Sequence, residues 1–114
     1  MPEPLSQPLP DPLLDLIAQR FRVLSDPTRL KILDRLREDS ASVKELTVAT
    51  GSSQQNVSKH LGVLMAAGMV SREKEGNFAR YRCSDPGVFE LCEQVCGGLR
   101  RQLEAFGEIL SAVE

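Results

Sequence analysis

The chain has 114 residues, of which 41% are hydrophobic and 26% are charged. These values are ordinary for a soluble globular protein, and the length predicts one domain. Its longest apolar-or-glycine run, residues 63–70, is too short to cross a membrane, so no membrane partner is predicted. Three cysteines, behind an N-terminus without the pattern of a secretory signal, favour the reducing cytoplasm over a disulfide framework.

Charge is segregated along the chain, although the net charge of −2 does not by itself indicate a nucleic-acid partner. Residues 54–82 hold five basic and two acidic residues, whereas residues 83–114 hold two basic and six acidic ones. The sequence therefore predicts a basic middle segment and an acidic C-terminal segment.

The N-terminal segment, residues 1–11, contains four of the seven prolines and predicts a mobile, extended arm before a folded domain at residues 12–114. A first helix is predicted over residues 12–24, where apolar residues recur at helical spacing. Asp26 and Pro27 then predict a second helix, as its N-cap and first helical residue. Its predicted buried stripe comprises Leu30, Leu33 and Leu36, with Ile32 beside them.

Two closely spaced helices follow. Ser42 and Glu45 form a capping-box pattern that opens the third helix, and Gly51 ends it. Ser52 or Ser53 can cap a fourth helix at once, leaving about three residues between the two helices. This spacing predicts a helix-turn-helix.

The remaining elements are a hairpin and a long helix. Residues 70–75 and 78–83 flank Gly76-Asn77 and predict two antiparallel strands. A last helix is predicted from Asp85-Pro86 onward, with apolar residues every three or four positions. A helix-turn-helix followed by a two-stranded wing is a winged helix, so we predict a mainly α fold with a β-hairpin.

The leading end of the fourth helix is polar but carries no carboxylate. Val57, Leu61 and Leu64 are spaced to face the core. The opposite side then presents Gln54, Gln55, Ser58 and Lys59. Amides, hydroxyls and lysine at the start of such a helix are typical of base and phosphate contacts in the major groove. A solvated surface is the alternative interpretation, but Glu and Lys would be commoner there.

The wing is predicted to add phosphate or minor-groove contacts through Arg72, Lys74, Arg80 and Arg82. Alternation along the strands predicts that all four lie on one side of the hairpin, although an ordinary charged surface would also hold such residues. His60 precedes the inward Leu61, so it either packs in the protein or contacts DNA.

The cysteines are the candidate ligands for an ion. Cys92 and Cys96 lie four residues apart on the predicted last helix, and Cys83 ends the hairpin. Thiolates at that spacing can share a soft ion such as arsenite, cadmium or mercury, with a third thiolate from Cys83 or another subunit. The alternative is that these cysteines only pack as small hydrophobic side chains. No constellation typical of an enzyme is present.

Several segments together resemble the ArsR/SmtB family of bacterial metal- and stress-responsive repressors. They are FRVLSDPTRLKILDRL, SVKEL, SSQQNVSKHLGVLMAAGMV and EGNFARYR, within residues 13–103. The resemblance implies a homodimer formed through the first and last helices. It also implies binding to an imperfect inverted repeat in double-stranded DNA and release by an inducer. The matched DNA-facing positions are Gln54, Gln55, Ser58, Lys59 and His60.

The chain departs from the family's metal sites. Ser42-Val43-Lys44 stands where arsenic sensors carry Cys-x-Cys. On the last helix Asp85 matches the zinc and cobalt pattern, but the expected His and Glu positions are Gly87, Gly98 and Arg101. The function expected is thus a repressor released by a soft ion or thiol-reactive signal. A family member with another signal, or a winged helix that binds a protein partner, are the alternatives.

Overall fold

The computed structural model of the chain describes residues 7–113, apart from the side chain of residue 113. It contains the helices α1 (Asp11–Leu24), α2 (Pro27–Leu36), α3 (Val43–Thr50), α4 (Gln54–Ala66) and α5 (Gly87–Val113), and the strands β1 (Val70–Glu75) and β2 (Phe78–Cys83). The predicted order and the mainly α fold with a hairpin are confirmed. Most of the arm predicted at residues 1–11 lies outside the described residues.

The chain divides into two compact units. The first ends at Ser84 and holds α1 to α4 with the hairpin, and the second begins at Asp85 and holds α5. The single domain over residues 12–114 stays a prediction. Within residues 7–113, no helix combines the length and apolar character needed to cross a membrane.

Local side-chain caps start α2, α3 and α4 at the predicted places. Oδ1 of Asp26 accepts hydrogen bonds from the backbone N–H groups of Thr28 and Arg29, at 2.8 and 3.1 Å. Ser53, rather than Ser52, caps α4 by accepting from the N–H of Asn56. Gly51 ends α3 with a φ of 71°, a conformation that costs glycine little. Each such N-cap stabilises its helix by about 1 kcal/mol.

The core of the first unit is aliphatic. Its fully buried side chains are Ile32, Leu33, Leu46, Val57, Leu61, Leu64 and Met69. The prediction that Leu30 joins the buried stripe of α2 is wrong, because Leu30 is 38% exposed while Ile32 is completely buried. The stripe therefore consists of Ile32, Leu33 and Leu36, which lie on one side of a helix with 3.6 residues per turn.

A backbone bridge fixes the base of the wing to the first unit. Tyr81 of β2 exchanges two hydrogen bonds with Ala41, which lies just before α3, at 2.8 and 2.9 Å. Val70 and Tyr81 are buried at this end. The Gly76-Asn77 turn forms the other end, where Gly76 has a φ of 63°.

Glu45 ties the start of α3 to both α2 and the wing. Its Oε1 accepts from Nη1 of Arg80 at 3.0 Å and its Oε2 accepts from Nη2 of Arg35 at 3.2 Å. It also completes the predicted capping box with Ser42. The backbone N–H and hydroxyl of Ser42, and then Arg80, hold the pKa of Glu45 below its usual value.

Two helices of the single chain expose apolar side chains. On α1 these include Leu14, Leu16 and Phe21. On α5 they are Val95, Leu99, Leu103, Phe106, Ile109 and Leu110. Gly97 and Gly98 do not interrupt α5, which runs as one helix of 27 residues. Extended apolar faces of this kind are typical of surfaces that a second subunit covers.

The core predicts a large difference between two leucine truncations. Leu61→Ala should lower the free energy of unfolding by about 2–5 kcal/mol, because Leu61 is only 1% exposed and its loss leaves a cavity. The matched control, Leu30→Ala, should cost clearly less. Urea denaturation of both variants checks this, and equal losses would contradict the buried stripes described above.

The contacts of Glu45 predict a contribution to acid sensitivity. Because folding lowers its pKa, Glu45 stabilises the protein above about pH 4.5, the usual glutamate value, and this stabilisation disappears as pH falls through the lowered pKa. Glu45→Gln should therefore lose less stability than the wild type between pH 6 and pH 3. Urea midpoints at both pH values measure this. Glu38→Gln, with no side-chain partner within residues 7–113, is the control that should behave like wild type.

Candidate nucleic-acid interface

The polar leading end of α4 reaches solvent. Gln54, Gln55, Ser58 and Lys59 are all exposed, on the side away from the buried row of Val57, Leu61 and Leu64. Within residues 7–113, none of these four polar side chains has a hydrogen-bond or ion-pair partner. Their donors and acceptors are thus available to another molecule. We call these four residues the α4 tip.

The first turn of α4 also favours an anion over a cation. It contains no acidic residue, and the side chain of Ser53 satisfies only the N–H of Asn56. The remaining N–H groups at a helix start carry partial positive charge and suit a phosphate. The α4 tip therefore combines side chains that can read base edges with backbone groups that can hold the phosphate chain.

The register of the wing corrects one prediction. Arg72 lies opposite Tyr81, and Glu73 lies opposite Arg80. Directly opposed residues of an antiparallel pair share a face. Arg72 and Lys74 therefore lie on one face, whereas Arg80 and Arg82 lie on the other. The prediction that all four share one side is wrong, because a two-residue turn pairs even-numbered residues of β1 with odd-numbered residues of β2.

The two faces differ in how far their charge is already neutralised. Arg80 donates to the hydroxyl and the carbonyl of Ser40 at 3.0 and 2.7 Å, as well as to Glu45. Arg82 pairs with Glu73 at 3.3 Å. Arg72 and Lys74 are exposed and have no side-chain partner within residues 7–113. Phosphate contacts by all four residues stay a prediction. The face of Arg72 and Lys74 is the better candidate for them, because its charges are not neutralised by a partner within residues 7–113.

His60 does not lie with the α4 tip. It is only 6% exposed, and its Nδ1 lies 3.1 Å from Nη1 of Arg29. Arg29 also donates to the carbonyls of Val23 and Arg22 at the end of α1. A base contact by His60, which the family resemblance implied, does not fit this burial. His60 instead packs inside the protein, which was the alternative interpretation of this residue.

The contacts of His60 also define its neutral tautomer. A guanidinium only donates hydrogen bonds, so Nδ1 accepts and Nε2 carries the proton. Nε2 lies 3.9 Å from Oδ1 of Asp26. The hydrogen bond from the backbone N–H of Arg29 holds the pKa of Asp26 below its usual value. Asp26, Arg29 and His60 thus join the start of α2, the end of α1 and the middle of α4.

The three cysteines are present as thiols. Cys83 is half-buried at the end of β2, and on α5 Cys92 is half-buried while Cys96 is exposed. Within residues 7–113 of this single chain, no three His, Cys, Asp or Glu side chains come together as they would to hold a metal ion. Metal binding by these cysteines therefore stays a prediction.

The role of Arg29 was missed by the sequence analysis, which assigned this residue no contact. The available signal was its position three residues after the capping Asp26. That spacing places Arg29 in the first turn of α2, beside the end of α1. Its partner His60 is 31 residues away, and no local pattern indicates such a contact.

Comparisons with known proteins agree on one family. The profile described as "Bacterial regulatory protein, arsR family" matches residues 26–72. A probable mercury resistance operon repressor of Streptomyces lividans is 40% identical over 77 residues, which cover 68% of this chain and 62% of the relative. The HTH-type transcriptional regulator Rv0081 of Mycobacterium tuberculosis is 39% identical over 82 residues, which cover 71% of this chain and 72% of that protein.

Solved structures support the same assignment. The crystal structure of Rv0081 superposes with a TM-score of 0.76 at 36% identity, covering 83% of this chain and 96% of that one. The homodimeric winged helix-turn-helix DNA-binding domain of Mb0332 from Mycobacterium bovis gives a TM-score of 0.72 at 29% identity, covering 87% and 94%. The chain therefore belongs to the arsR family of bacterial regulatory proteins, a family of winged helix-turn-helix transcriptional regulators rather than enzymes.

Proposed function

We propose that the chain is a homodimeric repressor that binds an imperfect inverted repeat in double-stranded DNA. The observation that carries this proposal is the α4 tip, an exposed, acid-free set of amides, hydroxyl and amine beside a helix start. In a dimer, two such helices enter successive major grooves on one face of the duplex, about 34 Å apart. Leu14 and Phe21 of α1 and the apolar face of α5 supply surface for that dimer.

Specificity and affinity come from different groups in this proposal. Gln54 and Gln55 each offer a donor and an acceptor, which suits adenine, and Lys59 suits guanine or a phosphate. Arg72 and Lys74 on the wing supply phosphate contacts that weaken as salt displaces them. Arg80 acts mainly by holding the wing against Ser40 and Glu45.

The inducer we propose is a thiophilic ion bound through Cys92 and Cys96, such as mercury(II), arsenite or cadmium. Two thiols one turn apart on a helix fit a soft ion as donors, and the exposure of Cys96 gives an ion access. One relative is named as a probable mercury resistance operon repressor. Cys83 or a cysteine of a second subunit supplies a third thiolate where the ion needs one. The bound ion weakens operator binding only to the extent that it binds more tightly to the arrangement of the dimer that does not bind DNA.

The wing predicts a specific pattern in salt dependence. Using a duplex selected by the protein from a random library, fluorescence anisotropy gives the slope of log affinity against log salt. Arg72→Ala and Lys74→Ala should each reduce that slope by about two, because each dimer carries two wings and each lost contact removes about one. Arg82→Ala, the matched control paired with Glu73, should change it less.

Two outcomes would contradict the assignment of DNA as the partner. Recovery of no bound duplex at low salt would favour the alternative of a winged helix that binds protein. An equal effect of Arg82→Ala and Lys74→Ala would contradict the assignment of one wing face to DNA.

The cysteine pair predicts where induction originates. The double variant Cys92→Ser, Cys96→Ser should bind the selected duplex like wild type but no longer release it when mercury(II) is titrated under reducing conditions. Cys83→Ser is the comparison variant, and a partial response there would identify the third ligand. Release from the double variant at wild-type ion concentration would exclude this pair as the sensor.

A further inference from the structure

The first unit contains a cleft that the proposed function does not use. It lies between α1 and the C-terminal half of α4 and has a volume of about 640 Å³. Leu16 and Val23 line it from α1, and Val63 and Ala66 line it from α4. Clefts of about 300–1,000 Å³ with mostly apolar walls are typical of small-molecule sites.

The described part of the cleft lining carries guanidinium groups. Within residues 7–113, Arg20, Arg22 and Arg29 line it and no acidic side chain does. Arg22 is exposed, and its guanidinium has no partner within the described range of residues 7–113. The side chain of Arg29 donates to two backbone carbonyls and contacts Nδ1 of His60, and none of these partners is a carboxylate. The cleft thus pairs apolar walls with guanidinium charge.

We propose that this cleft binds an organic carboxylate with an apolar body. The carboxylate would take the free guanidinium of Arg22, because a planar fork of N–H donors matches two carboxylate oxygens. The aliphatic or aromatic body would lie against Leu16, Val23, Val63 and Ala66. Charge complementarity selects this occupant over a neutral apolar molecule, which would leave the guanidinium groups facing an unsuitable partner.

Arg29 connects the cleft to His60 in the middle of α4. Nη1 of Arg29 contacts His60 of α4, and its Nε and Nη2 hold the carbonyls of Val23 and Arg22. A carboxylate held by Arg22 that also bonds to the neighbouring Arg29 competes with these acceptors and loosens the link between α1 and α4. Occupancy is therefore predicted to weaken DNA binding, a step that rests on the proposed function, whereas binding to the cleft does not.

The direct test measures binding to the protein without DNA. Octanoate and 1-octanol, which differ in charge but share the alkyl chain, are titrated while methyl NMR signals of Val23 and Val63 are followed. Octanoate should shift these signals and bind at least about tenfold more tightly than 1-octanol, as one charge-assisted hydrogen-bonded pair allows. Equal affinity of the two probes would overturn the proposal.

Two variants within the cleft and one control outside it assign the site. Arg22→Gln should weaken octanoate binding about tenfold and leave that of 1-octanol unchanged, since only the charge is removed. Arg37→Gln, an exposed arginine of the first unit that does not line the cleft, should match wild type. Ala66→Leu fills the cleft and should abolish binding of both probes. Unchanged octanoate binding in Arg22→Gln would overturn the proposal.

The other candidate occupants give different results. If octanoate shifts only methyl signals of α5, such as those of Leu103 and Leu110, the ligand lies elsewhere and the cleft proposal is wrong. If the signals of Val23 and Val63 change with protein concentration and octanoate then has no effect, a second copy fills the cleft, which also overturns it.

A separate arm tests the link to DNA. Saturating octanoate should weaken binding of wild type to the selected duplex about tenfold, within the usual range of coupling between sites, and should not affect Arg22→Gln. Octanoate binding without any change in DNA affinity would overturn the coupling through Arg29. Octanoate binding by a protein that binds no duplex would instead refute the proposed function and support the cleft.

Discussion

One side of α4 is buried almost completely in the core through Val57, Leu61 and Leu64. This burial determines which other side chains of the helix reach the surface. Successive residues of a helix are turned by 100°, so a rotation by one position would expose this row. Exposing three such side chains costs about 1.5–3 kcal/mol each. That cost keeps the α4 tip outward, where its four side chains have no hydrogen-bond or ion-pair partner among the described residues 7–113.

The contact between His60 and Arg29 also fixes the rotation of α4 about its axis. His60 lies next to Leu61 and is buried against Arg29, which also holds the last carbonyls of α1. A hydrogen-bonded buried ring has a preferred direction that a leucine lacks, since an unpaired ring nitrogen would cost free energy. The contact therefore links the position of α1, on the exposed apolar side of the unit, to that of the helix proposed to read DNA.

The local sequence predicted the features that depend on neighbouring residues. It did not predict the features that depend on contacts between residues far apart in the chain. The caps at Asp26 and Ser42 depend on side chains that bond within three residues, and Gly51 ends α3 through its own backbone conformation, so the local sequence identified all three. The faces of the wing depend on how two strands align, and alternation within each strand does not reveal that register. Arg80 bonds to Ser40, which is 40 residues away, and so appeared from sequence to be one more surface cation. The cleft between α1 and α4 was likewise invisible, because its walls lie about 40 residues apart in the chain.

The central claim is that the α4 tip lies in the major groove, and methylation interference by dimethyl sulfate tests it most directly. This reagent modifies guanine N7 in the major groove and adenine N3 in the minor groove, so one experiment on the selected duplex reports both grooves. The account predicts interference at guanine N7 in two patches separated by about one helical turn, or 10–10.5 base pairs. Interference confined to adenine N3, or a single unpaired patch, would contradict it.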